Sequence, residues 1–453
     1  MSNSPSIENN SITTGTIWKQ ILIFFFPIFF GTVFQQLYNT VDAVVVGHVL
    51  GKQALAAVGG GTSTAINLTI GFLVGLSSGA TVIISQFYGA QDNDNVRKAV
   101  HNASAIALWG GIAVSVSGYI SAGPLLKAIG TPDDVYGPAL EYMHIYFAGG
   151  IAVVIYNIGS SIFRAFGDSK NPLYFLIAGC IANIILDVLF VAVFNFGIRG
   201  AAYATVISQL LSSVLIIIKL RKRTDCCHLE YSQIKFEKRM LKSTVSIGFP
   251  TGIQSIMYSV SNLMITAGIN SFGTDCAAAW SAFSKLDNIN WMIVNSFGIA
   301  ITTFAGQNYG AGKFDRVKKG TRDTLFMLAL AVAAVEVLFR FFSRYGLMLF
   351  ITDEDVINYG IRIIVTICPF YITYIFVEIL SGTLRGAGKT FWPTIITIFG
   401  ICVLRAIWLA VVPKYANTAE ATVACYPFTW ITTSILMIIC YKKDSIYPKE
   451  ACR

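Results

Sequence analysis

Twelve long apolar segments, joined by short polar connections, leave this 453-residue chain almost no way to fold as a water-soluble domain. They fall at about 17–45, 54–88, 97–122, 135–163, 172–195, 200–220, 242–271, 277–307, 316–345, 356–383, 391–412 and 421–441. Each can cross a hydrocarbon layer roughly 30 Å thick as an α-helix. Gly, Ser and Thr recur inside them, as close packing of helices in lipid requires. The segments predict an all-α polytopic membrane protein of twelve transmembrane helices.

The net charge of +9 could suggest nucleic acid, but the Lys and Arg residues lie mostly in short connections between spans, where they act as an orientation signal. Basic clusters occur around Arg97, Arg164, Lys219 to Lys242, Lys313 to Arg322, Arg385 and Lys442 to Arg453. The alternate connections hold little beyond Lys52, Lys127, Arg199, Arg344 and Lys414. The expectation is a multi-pass membrane protein with both termini cytoplasmic. The polar start MSNSPSIENNSITTG has no basic n-region and is read as a tail, not a leader. The Cys226-Cys227-His228 run matches no zinc spacing, and no cofactor is expected.

The chain repeats itself. Pro27 and Asn39 recur 223 positions on as Pro250 and Asn262, while Gln86, Tyr88 and Gly89 recur 221 positions on as Gln307, Tyr309 and Gly310. Arg164, Gly167 and Pro172 recur as Arg385, Gly388 and Pro393 at the same spacing. Six spans per half give both halves one orientation, related by a pseudo-two-fold along the membrane normal. The predicted organisation is a tail at 1–16, six-helix bundles at 17–220 and 242–441 joined by a linker at 221–241, and a tail at 442–453. Duplicated bundles around one cavity suit alternating access, which a channel or receptor does not need.

Within this frame the intramembrane charges stand out, because such residues face the protein interior, a partner or water. In the fifth span, CIANIILDVLF, Asn183 and Asp187 are four apart and share a helix face. Asp42 near the far end of the first span and Thr205 in the sixth reach a similar depth. Two acids in one apolar bundle disfavour each other's ionisation. They suit either a proton that binds and leaves or, with the amide and hydroxyl oxygens, a Na⁺ ion. A purely structural hydrogen-bonded cluster is the alternative. The repeat-mates Ile265, Leu404, Trp408 and Tyr426 carry no copy of the cluster.

The second half has its own intramembrane charges, Lys285, Asp287 and Arg405. Lys285 and Asp287 are two apart and cannot face each other on a helix, so Asp287 is expected to pair with Arg405. Glu378, the repeat-mate of Asn157, either attracts a cationic substrate or caps Arg385. Cavity polarity is assigned to Gln35, Gln36, Tyr38, Asn39 and Asn157 in the first half, and to Gln254, Tyr258, Asn262 and Glu378 in the second. Aromatic residues lining such a cavity would suit flat cations. No GxxxxGK[ST] occurs, which argues against ATP-driven transport on this chain. His48, His101, His144 and His228 form no triad-like group, so no enzyme is expected.

The segments GTVFQQLYNTVDAVVVGHVLGKQALAAVG, SQFYGAQ with its copy AGQNYGAG, FRAFGDSKNP with LRGAGKTFWP, and ANIILD resemble the multidrug and toxic compound extrusion (MATE) family, in its DinF-like or MepA-like prokaryotic branch. The resemblance covers essentially the whole chain. It implies two lobes in a V and a secondary efflux pump, monomeric, that exchanges H⁺ or Na⁺ for cationic amphipathic compounds. It also implies an ion site in the first lobe at Asp42, Asn183, Asp187 and Thr205, with bending of the first helix at Pro27. An alternative within the superfamily is a flippase for lipid-linked precursors or an exporter of one metabolite.

Overall fold

The computed structural model describes residues 11–443; most of both expected tails lies outside them. Twelve long helices run through the described residues, with no strand among them. In chain order they are α1 (Ile17–Leu50), α2 (Lys52–Gly89), α3 (Asn93–Ala128), α4 (Asp133–Ala148 and Gly150–Ala165), α5 (Lys170–Val193) and α6 (Gly197–Arg221). The second half continues with α7 (Lys238–Asn270), α8 (Thr274–Gly310), α9 (Phe314–Met348), α10 (Glu354–Gly386), α11 (Phe391–Lys414) and α12 (Ala419–Lys443). Eleven of the twelve expected segments each become one helical run, and the segment at 135–163 becomes the bent pair of α4. α1 runs unbroken through Pro27, whereas α4 bends by 51° at Gly149. At the bend only glycine fits: a Cβ at Gly149 would lie 2.4 Å from the Val206 side chain of α6.

The repeat reappears in the backbone. Left-handed residues close three corresponding turns, Gly51 (φ 83°) with Gly273 (102°), Gln91 (59°) with Gly312 (70°), and Gly167 (86°) with Gly388 (80°). Only Gln91 meets this requirement with a side chain, at a cost that glycine avoids. Gln91→Gly is therefore expected to stabilise the protein by roughly 0.5–1 kcal/mol, and Gly312→Gln to destabilise it by a similar amount. Thermal unfolding of the two variants in detergent checks both signs.

The described residues form two compact units. The first spans Phe26–Gly252, and the second holds Ser11–Phe25 together with the chain from Ile253 onward. Each changeover falls within two residues of a repeated proline, Pro27 or Pro250. The start of α7 thus belongs to the first unit. There Gly75 and Gly79 of α2 meet Gly248 and Gly252 of α7 so closely that a Cβ on Gly79 would stand 2.2 Å from the Thr244 carbonyl oxygen. In the second unit Arg316 donates to the Gly15 carbonyl at 2.8 Å, and Phe25 stacks on Phe297 at 4.1 Å.

The expected linker is packed, not loose. Cys227 and Leu229 are buried in the apolar core that α2, α3 and α4 share. The backbone N–H of Glu230 donates to His101 Nε2 at 3.1 Å, and that of Glu237 to Asn102 Oδ1 at 3.2 Å. Burial works against the charge of Asp225, but the Arg223 guanidinium bonds both its oxygens and holds the carboxyl below the ordinary range.

Candidate functional site: a buried carboxylate pair in the first unit

α5 carries Asn183 and Asp187 on its inner face, and both are fully buried, Asp187 at 0% exposure. Directly after Asp187 the helix widens to a π-helical stretch, Val188–Val193, an irregularity often found at functional sites. α1 brings Asp42, half-buried, close enough for its charge to act on Asp187. α6 supplies Thr205, whose hydroxyl donates to the Ala201 carbonyl at 3.0 Å.

The four residues lie in one unit, and their polar atoms lack partners only at the acids and the amide. Both oxygens of Asp187, the oxygen and nitrogen of the Asn183 amide and one oxygen of Asp42 are buried without a protein hydrogen bond. No Lys, Arg or His comes within 4 Å of either carboxylate among the described residues. Buried acceptors of this kind cost about 1–3 kcal/mol each when left unpaired. Four such oxygens form a hard donor set that fits a proton or a small cation such as Na⁺.

Three tyrosines complete the wall: Tyr38 of α1, already assigned to the cavity from sequence, and Tyr142 and Tyr146 of α4, which were not singled out. Tyr142 faces Thr205, and both it and Tyr38 lie within electrostatic reach of Asp42. Tyr146, one turn beyond Tyr142, stacks with it at 6.4 Å and neighbours Tyr38. The signal was present as two tyrosines four apart in EYMHIYFA, but nothing in their spacing tells that α4 faces α1. A small cavity of about 10 Å³, at the lower limit for one water, is lined by Tyr38, Cys180, Asn183, Ser208 and Gln209 among others.

The other residues expected at a cavity divide between the units. In the first, Gln35 and Asn39 are exposed, Gln36 and Tyr38 are half-buried, and Asn157 turns its amide back onto the Val153 carbonyl at 2.8 Å. In the second, Gln254 and Tyr258 are half-buried, and the Tyr258 hydroxyl meets that of Tyr374 at 3.2 Å. Glu378 packs directly on Gly298, where a Cβ would come 2.1 Å from its Oε1, and it feels the charge of Arg385.

The expected Asp287–Arg405 ion pair does not form. Asp287 accepts hydrogen bonds from the Tyr371 hydroxyl and from Trp291 Nε1, the latter at 2.9 Å. Arg405 instead donates to Ser261 Oγ at 3.2 Å and Asn262 Oδ1 at 3.3 Å and lies 4.2 Å over the Tyr426 ring. Each group finds neutral donors, acceptors or a π-face nearer than its opposite charge. Lys285 is exposed and lines an open pocket of about 510 Å³ with Asn270, Trp280 and Asn288.

The "Probable multidrug resistance protein YoeA" of Bacillus subtilis is 30% identical over 447 residues, 94% of this chain and 96% of its own. The "Multidrug export protein MepA" of Staphylococcus aureus is 22% identical, covering 83% of each chain. Among solved structures, a multidrug resistance MATE family transporter of the MOP superfamily in an outward-facing conformation shares the fold, with a TM-score of 0.88 over 98% of each chain at 21% identity. The MatE family profile matches twice, at residues 27–189 and 250–411, in step with the internal repeat that starts from Pro27 and Pro250. This chain belongs to the multidrug and toxic compound extrusion (MATE) family of multi-pass membrane transporters.

Proposed function

We propose that the protein is a secondary exporter that couples entry of H⁺ or Na⁺ to expulsion of cationic amphipathic compounds. It works as a monomer in the plasma membrane, with both termini cytoplasmic as the basic connections favour. The observation that carries this reading is Asp187, buried with both oxygens unbonded beside a second acid and an unbonded amide. Such a group is stable in an apolar bundle when it holds a proton or a cation, and its occupancy can therefore differ between the two faces of the membrane. Tyr38, Gln35 and Asn39 on the same helix as Asp42 connect occupancy of the ion site to the surface that meets substrate. α1 is the natural carrier of that signal, since it holds Asp42 and Pro27 on one continuous helix.

The test is ethidium efflux from a pump-deficient bacterial host. Wild type is expected to export, and to stop either with a protonophore or on removal of external Na⁺; the perturbation that stops it names the ion. Export that survives both, with the membrane potential monitored, would sink the coupling. Absence of any export, joined to a cell-envelope defect on deletion of the gene, would move the lipid-precursor flippase to first place.

A further inference from the structure

The second unit contains a buried acid pair of its own, and half of it was invisible to the spacing argument. Glu336 of α9 is half-buried and accepts a hydrogen bond from Asn290 Nδ2 of α8 at 3.4 Å. Asn290 is 0% exposed, and Asp287, one turn back on α8, lies within reach of the same amide. The amide therefore stands between the two carboxyls, and its own Oδ1 has no partner. The two acids act on each other electrostatically, with no Lys, Arg or His within 4 Å of either among the described residues. The other titratable groups facing them are Tyr371 and Cys368 of α10 and Tyr426 of α12, and Arg405 reaches this group only across the Tyr426 ring.

We propose that Glu336, held against Asp287 through Asn290, is a second proton-binding site, separate from the carboxylate pair of the first unit. Two carboxylates without a counter-ion cannot both stay ionised in an apolar bundle. Asp287 receives two donors, the Tyr371 hydroxyl and the Trp291 indole N–H, so it is the better-stabilised anion. Glu336 receives one long bond, at 3.4 Å, and takes the proton on a carboxyl oxygen. A metal ion suits the group poorly, because both Asp287 oxygens are engaged by N–H and O–H donors that a hard cation would have to displace. The event is the binding and release of one proton; no other bond changes. This inference does not depend on coupling in the first unit.

Infrared spectroscopy of the purified full chain in lipid reads it directly, through the carbonyl band of protonated carboxylic acids followed across neutral pH. Glu336→Gln is expected to remove one carboxyl's share of the titrating band, while the Asp42→Asn/Asp187→Asn double variant leaves that share in place. Asp287→Asn, which removes the neighbouring charge, should move the remaining midpoint of Glu336 to lower pH by about one unit or more. It also keeps the proposal testable if Glu336→Gln does not fold. A Glu336→Gln band identical to wild type, a lost share that never titrates, or an unmoved midpoint in Asp287→Asn would each overturn the proposal.

Discussion

Asp187→Asn is expected to leave the protein folded and in the membrane but unable to build a drug gradient. The substitution conserves size and adds donors to a site where the Asn183 amide and Asp42 oxygen already lack partners, so the bundle loses no packing. It removes the group that exchanges a proton or cation between the two sides. One elementary charge moved across about 100 mV supplies roughly 2.3 kcal/mol, near a fiftyfold gradient. Without that term the steady-state ratio of a neutral substrate should fall from up to about fiftyfold to about one. For a monovalent cationic substrate the charge term cancels in a one-for-one exchange, and the loss then equals the ion's own concentration ratio. Reconstituted vesicles with an imposed ion gradient distinguish the two cases. Uphill transport by Asp187→Asn at the wild-type level, with equal protein in the vesicles, would show that the cluster is structural. Asp42→Asn should behave alike, because its charge acts on the same site from α1.

Gly79→Leu is expected to abolish folding of the first unit. The Cβ position of Gly79 is 2.2 Å from the Thr244 carbonyl oxygen and 2.8 Å from the Gly248 backbone nitrogen, and neither can swing aside as a side-chain end would. Gly75 faces Gly252 at 2.3 Å and Gly248 faces the Leu76 carbonyl at 2.6 Å, so α2 and the start of α7 touch backbone to backbone over a full turn on each side. This is the small-residue packing that membrane helices use in place of a hydrophobic drive. Overpacking a core costs about 1–3 kcal/mol, and forced backbone separation over a whole turn costs more, against a total stability of roughly 5–15 kcal/mol. Size-exclusion chromatography of detergent extracts should show most of the folded peak lost. Gly110→Ala is the matched control: its Cβ would meet only the Ile106 side chain at 3.9 Å. A wild-type profile for Gly79→Leu would refute the close approach.

The spans and the internal repeat were legible because both rest on spacing along the chain, and the placing of Asp42, Asn183, Asp187 and Thr205 in one bundle rests on spacing within single helices. Asn183 and Asp187 share a face at four residues apart, and counting residues placed Asp42 and Thr205 at the same depth. The exclusion of a copy in the second half followed in the same way, from Ile265, Leu404, Trp408 and Tyr426 at the matching positions. What spacing does not carry is which helix faces which. That was decided only in the tertiary structure. Arg405 turned to Ser261, Asn262 and Tyr426, and Asp287 to Tyr371 and Trp291. Glu336 came to Asn290 from a different helix, and Tyr142 to Thr205. The stretch read as a linker packed onto α3, because Cys227 and Leu229 had an apolar core to enter. Helical periodicity fixes height and face within one helix, whereas pairing across helices depends on close-packed shape, which glycines such as Gly79 and Gly149 set at single points far apart in the chain.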